Sequence, residues 1–328
     1  MKNFKVTKLI SLLLISSITL TGCTGAKESN ANPSETKFKI GISQLADHPA
    51  LDDARLGFED GLKELGVNAE IIYQNAQGDI PTSLTIAQKL TKDKVDLIYA
   101  IATPAAQSAK QTTSDIPIIF SAVTDPVIAE LVNSMEKPGR NVTGTSDASP
   151  MDRQLQLFKD IDNTIIKIGV IFNTGESNSQ IQVEMAKELA TGLGLEIIEV
   201  GVSTINDIPQ AVDSIIKKVD GIYTITDNMV ASAINIVSEK AIANNLITVG
   251  AEDSHVKGGI LVTDGLSYYE LGKQSAKMAK EILVDGKSPS DIPSETSTNT
   301  KKVYNENTLK ALNIDINNKA FKGAAKSD

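Results

Sequence analysis

The sequence predicts an α/β protein with two Rossmann-like lobes, each built on a parallel sheet, joined by a three-segment hinge. Short β-branched strands alternate with helical patterns, which is typical of βαβ units with right-handed crossovers. The chain has 328 residues, more than one domain usually needs. Aromatic residues make up only 4% of it, so its strands are rich in Ile, Val, Leu and Ala, as in sheets buried on both faces.

The first series of elements begins at Phe38. Each predicted strand is a short apolar run, and each predicted helix has apolar residues at helical spacing. Gly66 is expected to end the first helix. The strands are expected at 38–43, 69–73, 96–101 and 116–122, and the helices at 51–65, 80–91, 105–113 and 127–135.

A second series follows Pro150 and has the same alternation. Its apolar runs and helical spacings are of the same kind as in the first series. The strands are expected at 166–172, 195–200, 221–226, 246–251 and 259–263, and the helices at 180–193, 208–216, 229–244 and 268–284.

The two series are related in sequence. Residues 95–101 (VDLIYAI) match residues 219–225 (VDGIYTI) at an offset of 124 positions, and the Lys-Ile-Gly at 39–41 recurs at 167–169. Strand–helix units in the same order therefore indicate two related lobes.

The chain is expected to cross between the lobes near 142–147, near 262–265 and near 285–292. Three crossings form a hinge, and a hinge allows the lobes to close around a ligand. The predicted lobe 1 comprises 37–146 plus 265–288, and lobe 2 comprises 147–264 plus 289–328.

The N-terminus has the pattern of an exported lipoprotein. Three lysines precede an apolar run at 9–20, which is too short to span a membrane and is typical of a signal peptide. Residues 20–23 (LTGC) resemble a bacterial lipobox. We expect a signal peptide over 1–22, a flexible tether over 23–36, and a lipid on Cys23 that holds the protein at the extracytoplasmic face of a bacterial membrane. The alternative is an ordinary signal peptide with an incidental cysteine.

Composition argues against several classes of function. The net charge of −9 gives no basic face for a nucleic acid and no polybasic patch for a membrane surface. The sequence lacks the G-x-S-x-G, H-E-x-x-H, G-x-G-x-x-G and Walker motifs, and His48 and His255 are far apart in sequence. We therefore expect no enzymatic activity, no cofactor and no metal site.

Polar residues gather at the carboxyl ends of the predicted strands, where open α/β sheets bind ligands. Hydroxyls and helix N-termini can hold a carboxylate, and Asp227 and Asp253 can hold an ammonium group, so the set suits a zwitterion. The alternative is that each residue only caps a helix; Asp125 and Asp147 are the most cap-like or hinge-like. The predicted ligand-binding residues are Gln44, Thr103, Ala105, Gln107, Ser121, Thr124, Asn173, Asn178, Thr226, Asp227, Asn228 and Asp253. The predicted side-chain pocket is aliphatic and comprises Leu45, Pro104, Ala105, Val123 and Met229.

Several blocks of sequence resemble the ABC-transporter substrate-binding family typified by tryptophan- and tyrosine-binding lipoproteins, over about 38–299. The resemblance implies a type I periplasmic-binding-protein fold, no enzymatic activity, a free aromatic amino acid as ligand, and a membrane permease with its ATPase as partners. A surface adhesin or a sensor input, alone or in addition to ligand binding, remains the alternative. The blocks are 41–44 (GISQ), 48–49 (HP), 102–107 (ATPAAQ), 121–126 (SAVTDP), 144–147 (GTSD), 226–228 (TDN) and 250–253 (GAED).

Overall fold

The computed structural model describes residues 37–297 and 300–327. The predicted signal peptide, the tether and Cys23 lie outside these residues. The strands are β1 (Phe38–Gln44), β2 (Ala69–Asn75), β3 (Leu97–Ile101), β4 (Ile118–Val123), β5 (Val142–Ser146), β6 (Lys167–Asn173), β7 (Glu196–Val202), β8 (Gly221–Thr224), β9 (Ile247–Glu252), β10 (Val262–Leu266), β11 (Glu295–Thr296), β12 (Thr300–Tyr304) and β13 (Ala325–Lys326).

Helices connect most of these strands. Among the described residues, no helix combines the length and the apolar character that a membrane span requires. The helices are α1 (Pro49–Glu64), α2 (Ile80–Lys92), α3 (Thr103–Thr112), α4 (Met151–Ile161), α5 (Ser177–Gly192), α6 (Ile208–Ile215), α7 (Asn228–Ser232), α8 (Ile234–Ala243), α9 (Asp253–Lys257), α10 (Tyr268–Leu283) and α11 (Glu306–Ala311).

The strands form two sheets, and the predicted α/β class with two lobes is confirmed. The first sheet has the order β11-β5-β4-β3-β1-β2, and the second has the order β13-β12-β10-β9-β8-β6-β7. Neighbouring strands are parallel except for β10 and β12. Each sheet has its own hydrophobic core, so each lobe buries apolar surface independently.

The internal repeat has a structural basis. Asp96 accepts a hydrogen bond from the Lys39 backbone N–H at 2.7 Å, and Asp220 accepts the equivalent bond from Lys167 at 2.8 Å. The repeated glycine lies where a helix crosses its strand: a Cβ on Gly41 would stand 2.7 Å from Leu90 of α2. In each lobe, the repeated Asp therefore anchors the start of one strand, and the repeated Gly lets one helix pack closely against its strand.

The last long helix returns to the first lobe, as the sequence predicts. α10 packs along α1, and two glycines allow the close approach. A Cβ on Gly57 would stand 2.0 Å from the Tyr269 carbonyl oxygen, and a Cβ on Gly272 would stand 2.1 Å from the Ala54 carbonyl oxygen. Leu271 and Ala279 of α10 join the core of the first sheet.

Two segments differ from the expected lobe assignment. Glu295 and Thr296 pair with β5 of the first sheet, so the chain returns to the second sheet after Thr296 and not near 285–292. The Ser294 N–H donates to the Met135 carbonyl at 2.7 Å and fixes this segment on the first lobe. Asp147 is also attached to the first sheet, because its N–H donates to the Val123 carbonyl at 3.2 Å.

The predicted helix at 127–135 is wrong. Asp125 accepts the N–H groups of Val127 and Ile128, which begins a turn, and Glu130 then adopts a φ of 58° that no right-handed helix contains. The predicted helix at 229–244 is divided at Ala233 into α7 and α8. The expected elements also did not include β5, β11, α4, α9 or the C-terminal elements β12, α11 and β13.

Candidate functional site

A buried cavity lies where the carboxyl ends of the two sheets face each other. It is narrow: the centre of a water-sized sphere can reach only about 10 Å³ of it, about enough for one water molecule. Residues from both sheets and from two of the crossings line it, so its shape depends on how the lobes meet. The lining residues are His48, Leu51, Ala122, Asp147, Asn178, Thr226, Asp227, Asn228, Ala231, Glu252 and Tyr268.

Hydrogen bonds between the lobes close this cavity. His48 Nε2 lies 3.2 Å from Asn228 Oδ1, and the hydroxyls of Thr124 and Thr226 lie 3.3 Å apart. Gln182 of α5 donates to Thr124 Oγ1 at 3.2 Å. Because these bonds join the two sheets, they describe a closed arrangement of the lobes.

Four polar atoms at the cavity are buried and have no protein partner. They are Asp147 Oδ1, Asn178 Oδ1, Glu252 Oε2 and His48 Nδ1. Three of the four are oxygen atoms that can only accept, if the carboxyl groups are ionised. Buried polar atoms are normally paired, so a cluster of unpaired acceptors indicates a place where a ligand donates hydrogen bonds.

The cavity is rich in negative charge. Burial raises the pKa of Asp147 to about 6, although the hydrogen bond from Tyr268 opposes this shift. Burial also raises the pKa of Asp227. Burial would raise the pKa of Glu252 as well, but the adjacent His255 and His48 side chains outweigh it and lower that pKa. Among the described residues that line the cavity, none is Lys or Arg.

A fourth carboxyl group, Glu176, stands beside the cavity. Glu176 accepts hydrogen bonds from Asn228 and from Asn173, and burial next to Asp227 raises its pKa to about 7. It lines a wider groove that shares Asn228 with the buried cavity. This groove also contains Leu45, Asp47, Ile205 and Met229.

Five of the six predicted site residues of the second lobe lie at or beside the cavity. Asn178, Thr226, Asp227 and Asn228 line it, and Asn173 lines the adjoining groove. Asp253 begins α9 and lines neither space; the preceding residue, Glu252, lies at the cavity instead.

Asp227 has the partners of a helix cap. Its Oδ1 accepts the Val230 N–H at 2.8 Å. Its Oδ2 accepts the Asn173 N–H and the Ser179 hydroxyl, both at 2.6 Å. The carboxylate therefore joins α7 to β6 and α5, and both of its oxygens are occupied by the protein.

The predicted site residues of the first lobe lie farther from the cavity. Thr124 contacts the second lobe, whereas Ser121 accepts from Thr145 within the first lobe. Gln107 is exposed and donates to the Ala129 carbonyl at 3.3 Å. Three more do not line the cavity: Gln44 and Thr103 are buried, each with one unpaired oxygen, and Ala105 lies in the core.

The predicted aliphatic pocket is not a single surface. Leu45 and Met229 line the groove together. Ala105 and Val123 belong to the core of the first lobe, and Pro104 is buried in the first turn of α3. These side chains are separated because strand-end residues alternate between the core and the cavity.

Sequence reasoning missed Asp147, Glu252 and Tyr268 as cavity residues. Tyr268 donates to Asp147 Oδ2 at 2.6 Å, and Ser254 donates to Glu252 Oε1 at 2.9 Å. His255 Nε2 stands 2.9 Å from the same Glu252 oxygen, in a contact that is electrostatic because its geometry is not that of a hydrogen bond. The available signal was the pair of acidic residues directly after β5 and at the end of β9.

No group of three His, Cys, Asp or Glu side chains within 37–297 and 300–327 is arranged to hold a metal ion. The cavity, with its unpaired acceptors, offers hydrogen bonding and charge to a ligand. It can bind a small molecule that carries a cationic donor.

Known proteins are similar to this chain in fold and in sequence. A tyrosine-binding protein of Clostridioides difficile is 44% identical over 95% of this chain and 93% of its own length. A Streptococcus pneumonia ABC domain in complex with L-Trp has a TM-score of 0.85 at 33% identity, over 89% of this chain and 99% of that chain. A conserved domain protein of Vibrio cholerae has a TM-score of 0.86 at 36% identity, over 89% and 100%.

Among the solved structures, higher sequence identity does not go with a higher TM-score. The ligand-free, open structure of a substrate-binding protein with adhesive properties from Clostridium difficile is 44% identical, covers 89% of this chain and all of its own, and has a TM-score of only 0.67. The lower value agrees with the closed lobes described above. Residues 39–327 match the family described as ABC transporter substrate binding protein. The chain belongs to the ABC transporter substrate-binding protein family.

Proposed function

We propose that this protein is the binding component of an ABC importer and that it binds a free amino acid between the lobes, with the ammonium group at the buried cavity. The observation that carries the proposal is the cluster of unpaired buried acceptors: Asp147 Oδ1, Asn178 Oδ1 and Glu252 Oε2. An α-ammonium group has three N–H donors, one for each acceptor. Its positive charge also matches a cavity whose described lining has two carboxylates with a free oxygen and no Lys or Arg.

Ligand binding would drive closure of the lobes. Asp147 is attached to the first sheet through Val123, whereas Glu252 ends a strand of the second sheet. Two carboxylates brought together in a buried space repel each other, and the repulsion is strong where the effective dielectric constant is low. A cation between them replaces repulsion with two charge-assisted hydrogen bonds. The ligand thereby shifts the equilibrium between open and closed lobes toward the closed form.

We propose tyrosine or tryptophan as the ligand. The support is the tyrosine-binding relative and the relative in complex with L-Trp. The adjoining groove gives an aromatic side chain an apolar path along Leu45, Ile205 and Met229. The adjoining groove, at about 470 Å³, lies within the range of roughly 300–1,000 Å³ for pockets of small organic ligands, whereas the buried cavity has room for about one water molecule.

The remaining parts of the proposal concern location and partners. A lipid on Cys23 would keep the protein at the outer face of the membrane, where it would deliver its ligand to a permease with a cytoplasmic ATPase. The described adhesive properties of the Clostridium difficile relative support a second role as a surface adhesin. Cavity variants that still attach to host cells, alongside a deletion that does not, would support the adhesin role.

Calorimetry with a matched pair of ligands tests the amino-acid proposal. L-Tyrosine and 3-(4-hydroxyphenyl)propanoate share the ring and the carboxylate, and only L-tyrosine has the ammonium group. We expect the deaminated ligand to bind at least about 30-fold more weakly, because a buried charge pair contributes roughly 2–5 kcal/mol. Equal affinities for the two ligands would contradict the assignment of the acceptors. Mass spectrometry of molecules released from the denatured protein identifies the natural ligand.

A further inference from the structure

Tyr268 stands between the hinge and the cavity. It is the first residue of α10, directly after the second crossing, and it is 3% exposed. Its hydroxyl donates to Asp147 Oδ2 at 2.6 Å. Asp147 follows β5 at the first crossing, so this bond joins two of the segments that connect the lobes.

The two oxygens of Asp147 have different surroundings. Oδ2 holds the Tyr268 hydroxyl, whereas Oδ1 is buried and unpaired. A short hydrogen bond to one oxygen fixes the rotation of the carboxyl group, and it stabilises the charged form more than the protonated form. The partner on Oδ2 therefore controls both the direction and the charge of Oδ1.

Both residues belong mechanically to the first lobe. Asp147 is bonded to Val123 of β4, and α10 packs along α1. Opening the lobes moves Glu252 and Asn178 with the second sheet and leaves the bond between Tyr268 and Asp147 intact. The first half of the ammonium site is therefore set before the ligand arrives.

We propose that Tyr268 is a positioning residue for ligand recognition, which holds Asp147 in the orientation and the ionised state that bind the ligand ammonium. The inference rests on the proposed function and assigns a role to a residue that need not touch the ligand. The charged acceptor of its hydroxyl distinguishes Tyr268 from the other buried tyrosines. Tyr223, for example, donates to the neutral Gln154 Oε1 at 2.6 Å inside the second lobe.

The proposal requires that Tyr268 change the proton affinity of Asp147. Burial raises the pKa of Asp147 to about 6, and the Tyr268 bond opposes this shift. The other titratable groups around the cavity are Glu252 at the end of β9, Asp227 before α7 and His48 before α1. All three are present in wild type and variant; because Glu252 also interacts with the Tyr268 hydroxyl, Asp147→Asn is the variant that assigns the pH dependence to Asp147.

The test is the affinity of Tyr268→Phe for L-tyrosine at pH 6 and pH 8, with Tyr223→Phe as the matched control. A lost charged hydrogen bond raises the Asp147 pKa by about one unit, so the variant should bind about fivefold more weakly than wild type at pH 6. At pH 8, where Asp147 is ionised in both proteins, the difference should be less than about twofold. The control should match wild type at both pH values.

Asp147→Asn provides a second test that does not depend on Tyr268→Phe folding well. This variant keeps an acceptor for the tyrosine and cannot ionise, so the part of the pH dependence centred near pH 6 should disappear. A Tyr268→Phe ratio that is constant with pH, or equal to that of the control, would overturn the proposal while leaving amino-acid binding intact. Wild-type protein that binds neither L-tyrosine nor L-tryptophan would overturn this inference and the proposed function together.

Discussion

Replacing Asp147 with Asn should improve stability and abolish tight binding, and this combination is specific to a carboxylate held for a ligand. The side chain is 3% exposed and its Oδ1 has no protein partner. Burial raises its pKa from 3.8 to about 6, so keeping it ionised at neutral pH opposes folding by about 3 kcal/mol. Asn keeps the size and the acceptor for Tyr268 and removes that charge. The free energy of unfolding of the ligand-free variant should therefore be higher than that of wild type by up to about 3 kcal/mol.

Affinity should change in the opposite direction. Removing one partner of a buried charge pair weakens binding by about 2–5 kcal/mol, or roughly 30-fold to several thousand-fold in Kd. Titration calorimetry with L-tyrosine measures Kd, and thermal unfolding of the ligand-free protein measures stability. A less stable Asp147→Asn protein with wild-type affinity would refute the reasoning.

Asp227→Asn is the matched control, because it makes the same substitution in the same cavity. Both Asp227 oxygens already accept from the protein, and an Asn amide at Oδ2 would face the Asn173 N–H and the Ser179 hydroxyl. We expect a loss of about 2–4 kcal/mol in stability and a change in affinity of less than about threefold. Unchanged stability together with a large loss of affinity would instead support Asp227 as the ligand of the ammonium group.

Four further predictions follow from the hinge, the acid cluster, the helix pair and the N-terminus. Binding of L-tyrosine at pH 6 should release about half a proton, because the ammonium lowers the Asp147 pKa from about 6. Calorimetry in two buffers of different ionisation enthalpy measures this release, which should disappear at pH 8. Small-angle scattering should give a smaller radius of gyration with L-tyrosine than without it; an equal radius with confirmed binding would contradict closure. Gly272→Ala should reduce stability by about 1–3 kcal/mol, because its Cβ would stand 2.1 Å from the Ala54 carbonyl, whereas Gly192→Ala, with nothing within 4 Å, should change it by less than about 0.5 kcal/mol. Cys23→Ala should lose fatty-acid labelling and membrane retention in cells; labelling that persists would exclude the lipid anchor.

Much of the fold follows from local pattern, because a strand buried on both faces leaves a run such as 97–101 that is apolar at every position. The repeat between the lobes strengthened that reading, since Asp96 and Asp220 fix equivalent strands. The expected helix at 127–135 failed for a local reason. Its apolar spacing resembles a helix, but Asp125 captures the first N–H groups in a turn and Val127 and Ile128 remain exposed.

The site was harder to predict because it depends on where each side chain points as well as on its place in the sequence. Successive residues at a strand end point to opposite sides, so Glu252 reaches the cavity while its neighbour Asp253 does not. Asp147 and Asp227 have similar sequence surroundings, each an acid shortly before a helix. Only the three-dimensional partners separate them: Asp227 has both oxygens occupied, and Asp147 has one unpaired. That difference arises within each lobe, because Asn173, Ser179 and Val230 of the second lobe occupy Asp227, whereas Tyr268 occupies only one oxygen of Asp147.

The pairing of α1 with α10 determines when the first lobe can fold. These helices are separated by about two hundred residues of chain, and Leu271, Ala279 and Ile282 complete the same core as Phe58. During synthesis, the N-terminal lobe therefore exposes part of its apolar surface until α10 has emerged, by which time most of the second lobe has been made. Contacts over such a long loop form slowly. The chain should consequently remain open to chaperones for most of its synthesis, and a fragment that stops before Tyr268 should not yield a stable first lobe.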